Sequence, residues 1–433
     1  MMVKTDRKNI HPKNIQASLR GVKAQKQDAR KKDGRPRVFI ATGASGGHIF
    51  PALAIADVLR REGYWCTFVG TAKQFAPAIK AQGFDIISLP SAQVNVPGVR
   101  RKLMALKSIS MAFLRAAKLI HSHKPVAILG MGSYASVSTV LAGRALRVPT
   151  LIHEQNARPG RANRFLSRFV SRILLAYDAA RRHFPQGLSK PEKFHVVGNP
   201  VRKDVLDLRG VERESSKTLN LLIVGGSQGA RILTDTLPDA LYLLPKKLRG
   251  RIAVTQQARP EDVDRLTAAY QDLGMGSVQV SHFFDDLPLL MHNAHVVVSR
   301  AGTGTISELA VLNRAAILVP IRLADGHQVD NAKILSKINA ATLMEEQTLT
   351  PEALAAELET LLTRDGKRAM YEKNTTLVAK PQAAKDAAAA VMAMCGGDSE
   401  KIPAEEEDDT EIDATDQEVM VDGDGEAENE FEK

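Results

Sequence analysis

Cysteine is nearly missing from this 433-residue chain: Cys66 and Cys395 stand far apart and without ligand spacing. That excludes a disulfide framework and a cysteine metal site, and fits a reducing cytoplasm. Aromatic residues make up 5% of the chain and no RNA- or DNA-binding motif accompanies them. Nucleic acid is therefore not the expected partner, although the net charge is +10. No apolar run approaches the ~18 residues of a membrane-crossing helix. The Lys/Arg-rich N-terminus has no apolar core segment and is not read as a secretory signal.

Acid is also scarce where it would be expected, and crowded elsewhere. Residues 1–37 carry twelve Lys/Arg against three Asp/Glu, and residues 398–433 carry seventeen acids against two Lys. The total of +10 thus divides into +9, −15 and a body of +16. Both ends lack apolar residues to bury and are expected to be solvated, disordered tails, 1–36 and 397–433. Between Asp85 and Asp178 the single acid is Glu154, among fourteen Lys/Arg. Such isolation suits either a specific chemical task or a structural ion pair.

Two glycine-rich turns organise the remainder. Thr42-Gly43-Ala44-Ser45-Gly46-Gly47-His48 follows the apolar run Val38–Ala41, and Gly225-Gly226-Ser227-Gln228-Gly229-Ala230 follows Leu221–Val224. Glycine at a strand end lets backbone approach a ligand, and a following helix presents free N–H groups and a positive dipole end to phosphate. After each turn, short apolar segments alternate with helical patterns. Strands are expected at 65–69, 86–89, 126–129, 150–153, 173–176 and 196–201. In the second half they fall at 252–255, 278–281, 296–299, 316–320 and 341–344. A helix is expected over 51–62. This alternation predicts an α/β chain with two doubly wound, Rossmann-like parallel-sheet domains, 37–198 and 199–380, facing across a cleft. A last helix within 381–396 is expected to cross back to the first domain.

Candidate chemical groups fall at strand ends. His48 closes the first turn, where a helix dipole favours the neutral imidazole that a general base requires. Glu154, in His153-Glu154-Gln155-Asn156, is the second candidate for the catalytic base. Arg300-Ala301-Gly302-Thr303-Gly304 is another phosphate-sized turn, and Glu308 lies one to two helical turns beyond it, positioned to accept from a ribose diol. His327-Gln328 and Asn331 supply groups suited to sugar hydroxyls, and Asn199 and Arg202 flank the domain boundary.

The ordered set Gly46–Ala52, Leu129–Tyr134, His153–Asn156 with Asn163, Gly198–Arg202, Gly225–Arg231, Phe284-Asp285-Asp286, Ser299–Glu308 and His327-Gln328 with Asn331 resembles the MurG family of peptidoglycan N-acetylglucosaminyltransferases. The likeness runs from about residue 37 to 395. It implies a GT-B fold with acceptor on the N-terminal domain and UDP-GlcNAc mainly on the C-terminal one. The implied reaction is inverting: GlcNAc passes from UDP-GlcNAc to the muramoyl 4-OH of lipid I, giving β-1,4-linked lipid II. By position, Ser45, Gly46, Gly47, His48, Asn156, Arg202, Ser227, Gln228, Phe284, Thr303, Glu308 and Gln328 would hold the donor. Gly43, Gly132, Tyr134 and Asn163 would face the acceptor, with His48 and Glu154 as candidate bases. Helix N-termini and Arg can stabilise a leaving diphosphate, so no metal is required in principle, though a divalent cation could assist. Where the family has Ser-Gly-Pro after Tyr134 this chain has Ser136-Val137-Ser138, and Val137 is expected to narrow the acceptor nest.

A lipid-linked acceptor requires a peripheral surface, expected at the cytoplasmic face of an anionic inner membrane. The segment 99–120 offers Leu103, Leu106, Ile109, Phe113 and Ile120 between Arg100, Arg101, Lys102, Lys107, Arg115 and Lys118. Arg161, Arg164, Arg168 and Arg172 form a second basic stripe. The alternative is another GT-B enzyme using a UDP-sugar, either a lipid glycosyltransferase or a UDP-GlcNAc 2-epimerase.

Overall fold

A computed structural model of the chain describes residues 34–71, 73–89, 99–185, 189–213, 217–225, 230–321 and 326–396. Residues 1–33 and 397–433 of the charged tails lie outside these residues, as do Gly226, Ser227, Gln228 and Gly229 of the second glycine turn, whereas Arg35 and Pro36 of the expected tail lie against Trp65. Seven parallel strands form the first sheet: β1 (Arg37–Thr42), β2 (Trp65–Gly70), β3 (Asp85–Ser88), β4 (Ala127–Gly130), β5 (Thr150–Glu154), β6 (Arg172–Leu175) and β7 (Phe194–Val196). Six more form the second: β8 (Leu219–Val224), β9 (Ile252–Gln257), β10 (Ser277–Ser281), β11 (Val296–Ser299), β12 (Ala316–Leu318) and β13 (Ala341–Leu343).

The strand orders are β3-β2-β1-β4-β5-β6-β7 and β10-β9-β8-β11-β12-β13. In each sheet growth reverses direction beside the first strand, between β1 and β4 and between β8 and β11. Loops leaving the carboxyl ends of those pairs diverge and open a crevice. Both glycine turns, Gly130–Tyr134 and Arg300–Thr303 leave from those ends.

Helices cover both faces of each sheet, which is why the central strands read as unbroken apolar runs rather than alternating ones. Val38 and Ile40 pack with the helix Gly46–Arg61, whereas Phe39 packs on the opposite face with the helix Val99–His123. The observed strands coincide with the expected ones within one or two residues at most ends, and β11 agrees at both. One departure is the segment 196–201, which leaves the sheet after Val196 because Gly198 adopts φ +85° and turns the chain toward the second half. Another is the first helix, which starts at Gly46, so that Gly46, Gly47 and His48 form its first turn.

One further expectation is corrected by packing. Phe113 and Ile120 turn inward onto the sheet with Ala116, since residues 113, 116 and 120 share one helical stripe. The outward face of that helix instead carries Met111 and Leu114, 42% and 66% exposed, beside exposed Arg115 and Lys118. Val137 is partly buried against the core cluster that includes Val140 and Ala142.

The helix Ala383–Met394 returns to the first half, where Ala387, Ala388, Ala390 and Val391 complete the core around Val38, Ile40 and Leu129. The chain therefore passes between the halves twice. The passes touch at Gly198, where a Cβ would sit 2.4 Å from the Lys380 Cβ. Gly198→Ala combines that clash with a left-handed φ, and we expect it to cost about 1–3 kcal/mol of stability in urea unfolding. An unchanged midpoint would refute the tight crossing.

Candidate active site

The two loops at the first switch point interlock. A Cβ on Gly43 would lie 2.3 Å from Ser133 Oγ, and Ser133 itself holds φ 69° while its hydroxyl accepts from Ala135 N at 3.1 Å. Gly132, at φ +89°, packs so closely that a Cβ there would come within 3.1 Å of His48 Nε2 and 3.5 Å of Asn163 Nδ2. His48, Gly132 and Asn163, from three different loops, thus converge on one point. Tyr134 opens the next helix beside them, 38% exposed.

His48 is the third residue of its helix, and its Nδ1 is paired with Ser45 Oγ. Burial, reinforced by His327 from across the cleft, lowers its pKa to about 4, so the imidazole is neutral at physiological pH. Ser45, expected to hold donor, has its hydroxyl oxygen against His48 Nδ1. Gly46 and Gly47 begin the helix, where N–H groups have no partner one turn earlier.

Glu154 occupies a different role from the base suggested for it. It is 1% exposed. Its Oε1 accepts from Asn156 N and Asn156 Nδ2, both at 3.0 Å, and its Oε2 from Gly160 N at 3.1 Å and Asn163 Nδ2 at 2.9 Å. A carboxylate with both oxygens so occupied is a scaffold for the loop 155–163, not a proton acceptor for substrate. His153, fully buried, donates Nε2–H to Gly198 O at 2.9 Å and ties β5 to the interdomain segment. Desolvation lowers its pKa to about 4, with Gly198 O opposing the shift.

On the second half, Glu308 lies within the helix Thr303–Leu312 and receives Arg202 Nε at 3.2 Å. Burial raises the Glu308 pKa and Arg202 opposes it. Arg202 also lies 5.6 Å from the Phe50 ring centroid, so it spans the two halves. Phe284 is buried just past β10, and Gln328 Oε1 accepts from Ile321 N at 3.1 Å. Ser227 and Gln228 lie outside the described residues. Arg300 is drawn away from the phosphate-sized turn by Val319 O at 3.0 Å and Glu346 at 2.6 Å.

Several polar groups meet directly across the cleft. Thr303 Oγ1 donates to Gln155 O. Asn331 Oδ1 accepts from Ala157 N at 2.9 Å, and Asn331 Nδ2 donates to Asn156 Oδ1 at 3.2 Å. Near the chain crossing, Tyr177 OH and Asn199 Nδ2 reach Ser307 Oγ at 3.3 and 3.1 Å. Tyr177 escaped the sequence reading, and Gln155 and Ser307 entered it only inside motifs, with no role of their own. Their significance depends on partners more than a hundred residues away, which no local pattern encodes. Among the described residues no group of three or more His, Cys, Asp or Glu is arranged to hold a metal ion.

Residues 38–175 match the glycosyltransferase family 28 N-terminal domain, and residues 220–390 match the family's C-terminal domain. The UDP-N-acetylglucosamine--N-acetylmuramyl-(pentapeptide) pyrophosphoryl-undecaprenol N-acetylglucosamine transferase of Rhodospirillum rubrum is 41% identical over 329 residues, covering 75% of this chain and 83% of that protein. The enzyme of the same name from Granulibacter bethesdensis is 38% identical over 353 residues, with coverages of 80% and 90%. The crystal structure of Acinetobacter baumannii MurG superposes with TM-score 0.68 at 29% identity, covering 82% of this chain and 99% of that one. A UDP-N-acetylglucosamine 2-epimerase at 13% identity and TM-score 0.55, covering 82% of this chain and 94% of that one, shares the fold alone.

If Glu154 is a scaffold, Glu154→Gln should present an amide N–H₂ to donors and cost about 1–3 kcal/mol of stability. Activity should fall with the shape of its pH profile preserved. Loss of the acidic limb with normal stability would restore Glu154 as the base.

Proposed function

The chain belongs to the MurG family of glycosyltransferase family 28, and from that membership we propose how its own residues carry out the transfer. It is a hexosyltransferase that moves GlcNAc from UDP-GlcNAc to the muramoyl 4-OH of lipid I, forming lipid II for peptidoglycan. The observation that carries the assignment of roles is the asymmetry of the two switch points. One presents a neutral histidine beside an open helix N-terminus; the other presents Glu308 and Arg202.

In this reading Glu308 accepts from the ribose diol of UDP, and the helix N-terminus at Thr303 meets the diphosphate with the turn 225–229. The backbone beside Phe284 faces the uracil, and Gln328 the donor sugar. Asn156 and Asn331 exchange their mutual bond for GlcNAc hydroxyls. His48, with Nδ1–H donated to Ser45 Oγ, keeps an Nε2 lone pair beside Gly132 and Asn163. That nitrogen takes the proton as the 4-OH oxygen bonds to C1 and the C1–O bond to UDP breaks with inversion. Negative charge accumulating on UDP is met by Arg202 and helix N-termini, without a required metal. The donor and lipid I are the partners in this reading, and nucleic acid is not.

The acceptor's lipid places the first half against the inner membrane. No helix of the described residues is long and apolar enough to cross a bilayer. Phe165 and Phe169, 44% and 39% exposed with ring centroids 5.3 Å apart, project between exposed Arg161, Arg164 and Arg168. They lie on the same side of the sheet as Met111 and Leu114. Apolar tips among cations suit peripheral attachment to anionic lipid.

His48→Ala should lower kcat about 10²–10⁴-fold, followed as UDP release with formation of disaccharide lipid. A base whose pKa is depressed stays active as pH falls until its own pKa is reached. Wild-type kcat/KM should therefore have no histidine limb near pH 6.5 and lose activity on approaching about pH 4. A limb near 6.5 that vanishes in His48→Ala would overturn the neutral-base geometry. UDP release without disaccharide lipid would sink the acceptor assignment, and epimerised sugar the transfer itself. Phe165→Ala/Phe169→Ala should weaken sedimentation with anionic vesicles at low salt; equal binding by wild type and variant would remove this surface.

A further inference from the structure

Four consecutive residues of one loop bind the other domain. Gln155 O accepts from Thr303, Asn156 and Ala157 engage Asn331, and Arg158 O accepts Nδ1–H of His327 at 2.8 Å. Outermost, Arg158 Nε lies 2.5 Å from Asp330 Oδ2. Among the described residues, Asp330 is the second-domain acid paired with Arg158, and it lies near a second cation, Lys333. Arg158, Arg182, Arg164 and Asp330 all act on the proton affinity of His183: burial foremost, then the arginines, lower it, while Asp330 raises it. Lys333, one turn further along the helix of Asp330, stands 4.0 Å from Oδ1. Among the described residues, the facing surfaces are thus Arg158, Arg164, Arg182 and His183 on the first domain, against Asp330, Lys333 and His327 on the second.

We propose that Asp330 and Arg158 form a positioning clasp that draws the second domain onto the Asn156 loop and sets the spacing of the donor-sugar pocket. The inference rests on the transferase reading of that cleft. Neither residue touches the reacting atoms. Their effect passes through Asn156, Asn331 and Gln328, which sit within three residues of them in sequence. The arrangement is unequal. Removing Arg158 leaves Asp330 with Lys333 at 4.0 Å, whereas neutralising Asp330 deprives both Arg158 and Lys333 of their anion. Asp330→Asn should therefore do more harm than Arg158→Ala.

The test uses the full-length chain with a short-chain, detergent-soluble lipid I analogue, so that salt acts on the clasp and not on membrane attachment. Arg158→Ala should raise the KM for UDP-GlcNAc about 2- to 5-fold, the range of one partly exposed ion pair. Asp330→Asn should raise it further, with kcat changed less than about 2-fold in both. Arg158→Asp combined with Asp330→Arg should recover part of the loss. Raising NaCl to about 0.5 M should raise the wild-type KM and leave that of Asp330→Asn nearly unmoved. Independently of turnover, small-angle scattering without ligand should give Asp330→Asn a larger radius of gyration than wild type. Equal KM and equal radius in wild type and Asp330→Asn would overturn the clasp. Failure of the wild type to form disaccharide lipid, with the radius still increased in the variant, would instead count against the transferase reading alone.

Discussion

A carboxylate removed from water must either be neutralised or receive hydrogen bonds on both oxygens, and Glu154 takes the second course. Its four N–H contacts come from residues 156, 160 and 163, so one buried group fixes the whole path of the loop leaving β5. Asn163 then stands beside His48, and Gln155, Asn156 and Ala157 are presented to the opposite domain. Both the acceptor side and the cross-cleft bonds depend on that path. Cations near Glu154 in sequence do not pair with it: Arg161, Arg164 and Arg168 are exposed and Arg158 reaches Asp330. The charge imbalance of this stretch is thus a division of labour, with the carboxylate inside and Arg158, Arg161, Arg164 and Arg168 outside.

The same logic separates His48 from ordinary surface histidines. Its neutrality follows mainly from enclosure by the interlocked loops, with a second histidine adding repulsion from across the cleft. Glycine at 43 and 132 permits that enclosure, because a side chain at either position would strike Ser133 or His48. The neutral imidazole is therefore a packing property of two loops, each set by the strand it leaves.

The parallel sheets, their switch points and most strand positions could be read from the sequence, because doubly buried strands leave contiguous apolar runs such as Val296–Ser299. His48, Asn163 and Gly132 were also legible, as members of ordered motifs, and the fold brings them together. Polarity of faces was less legible. Ile109, Phe113 and Ile120 are as consistent with a core stripe as with a lipid stripe, and only the position of the neighbouring helix decides. Glu154 was recognisable as exceptional but not as a scaffold, since its donors are defined by the turn it stabilises. Arg158 and Asp330 carried no signal at all, being common residues whose meaning lies 172 positions apart.

The return helix Ala383–Met394 has a consequence for biosynthesis. Residues that finish the first domain's core are translated only after the entire second sheet. Until they emerge, the face formed by Ile49, Leu53 and Ala56 lacks its cover, and the N-terminal half cannot complete its folding on the ribosome as an autonomous unit. A nascent chain would carry an open apolar face through most of its synthesis. Domain-by-domain maturation would thus give way to a single closing event, timed by the emergence of the helix Ala383–Met394.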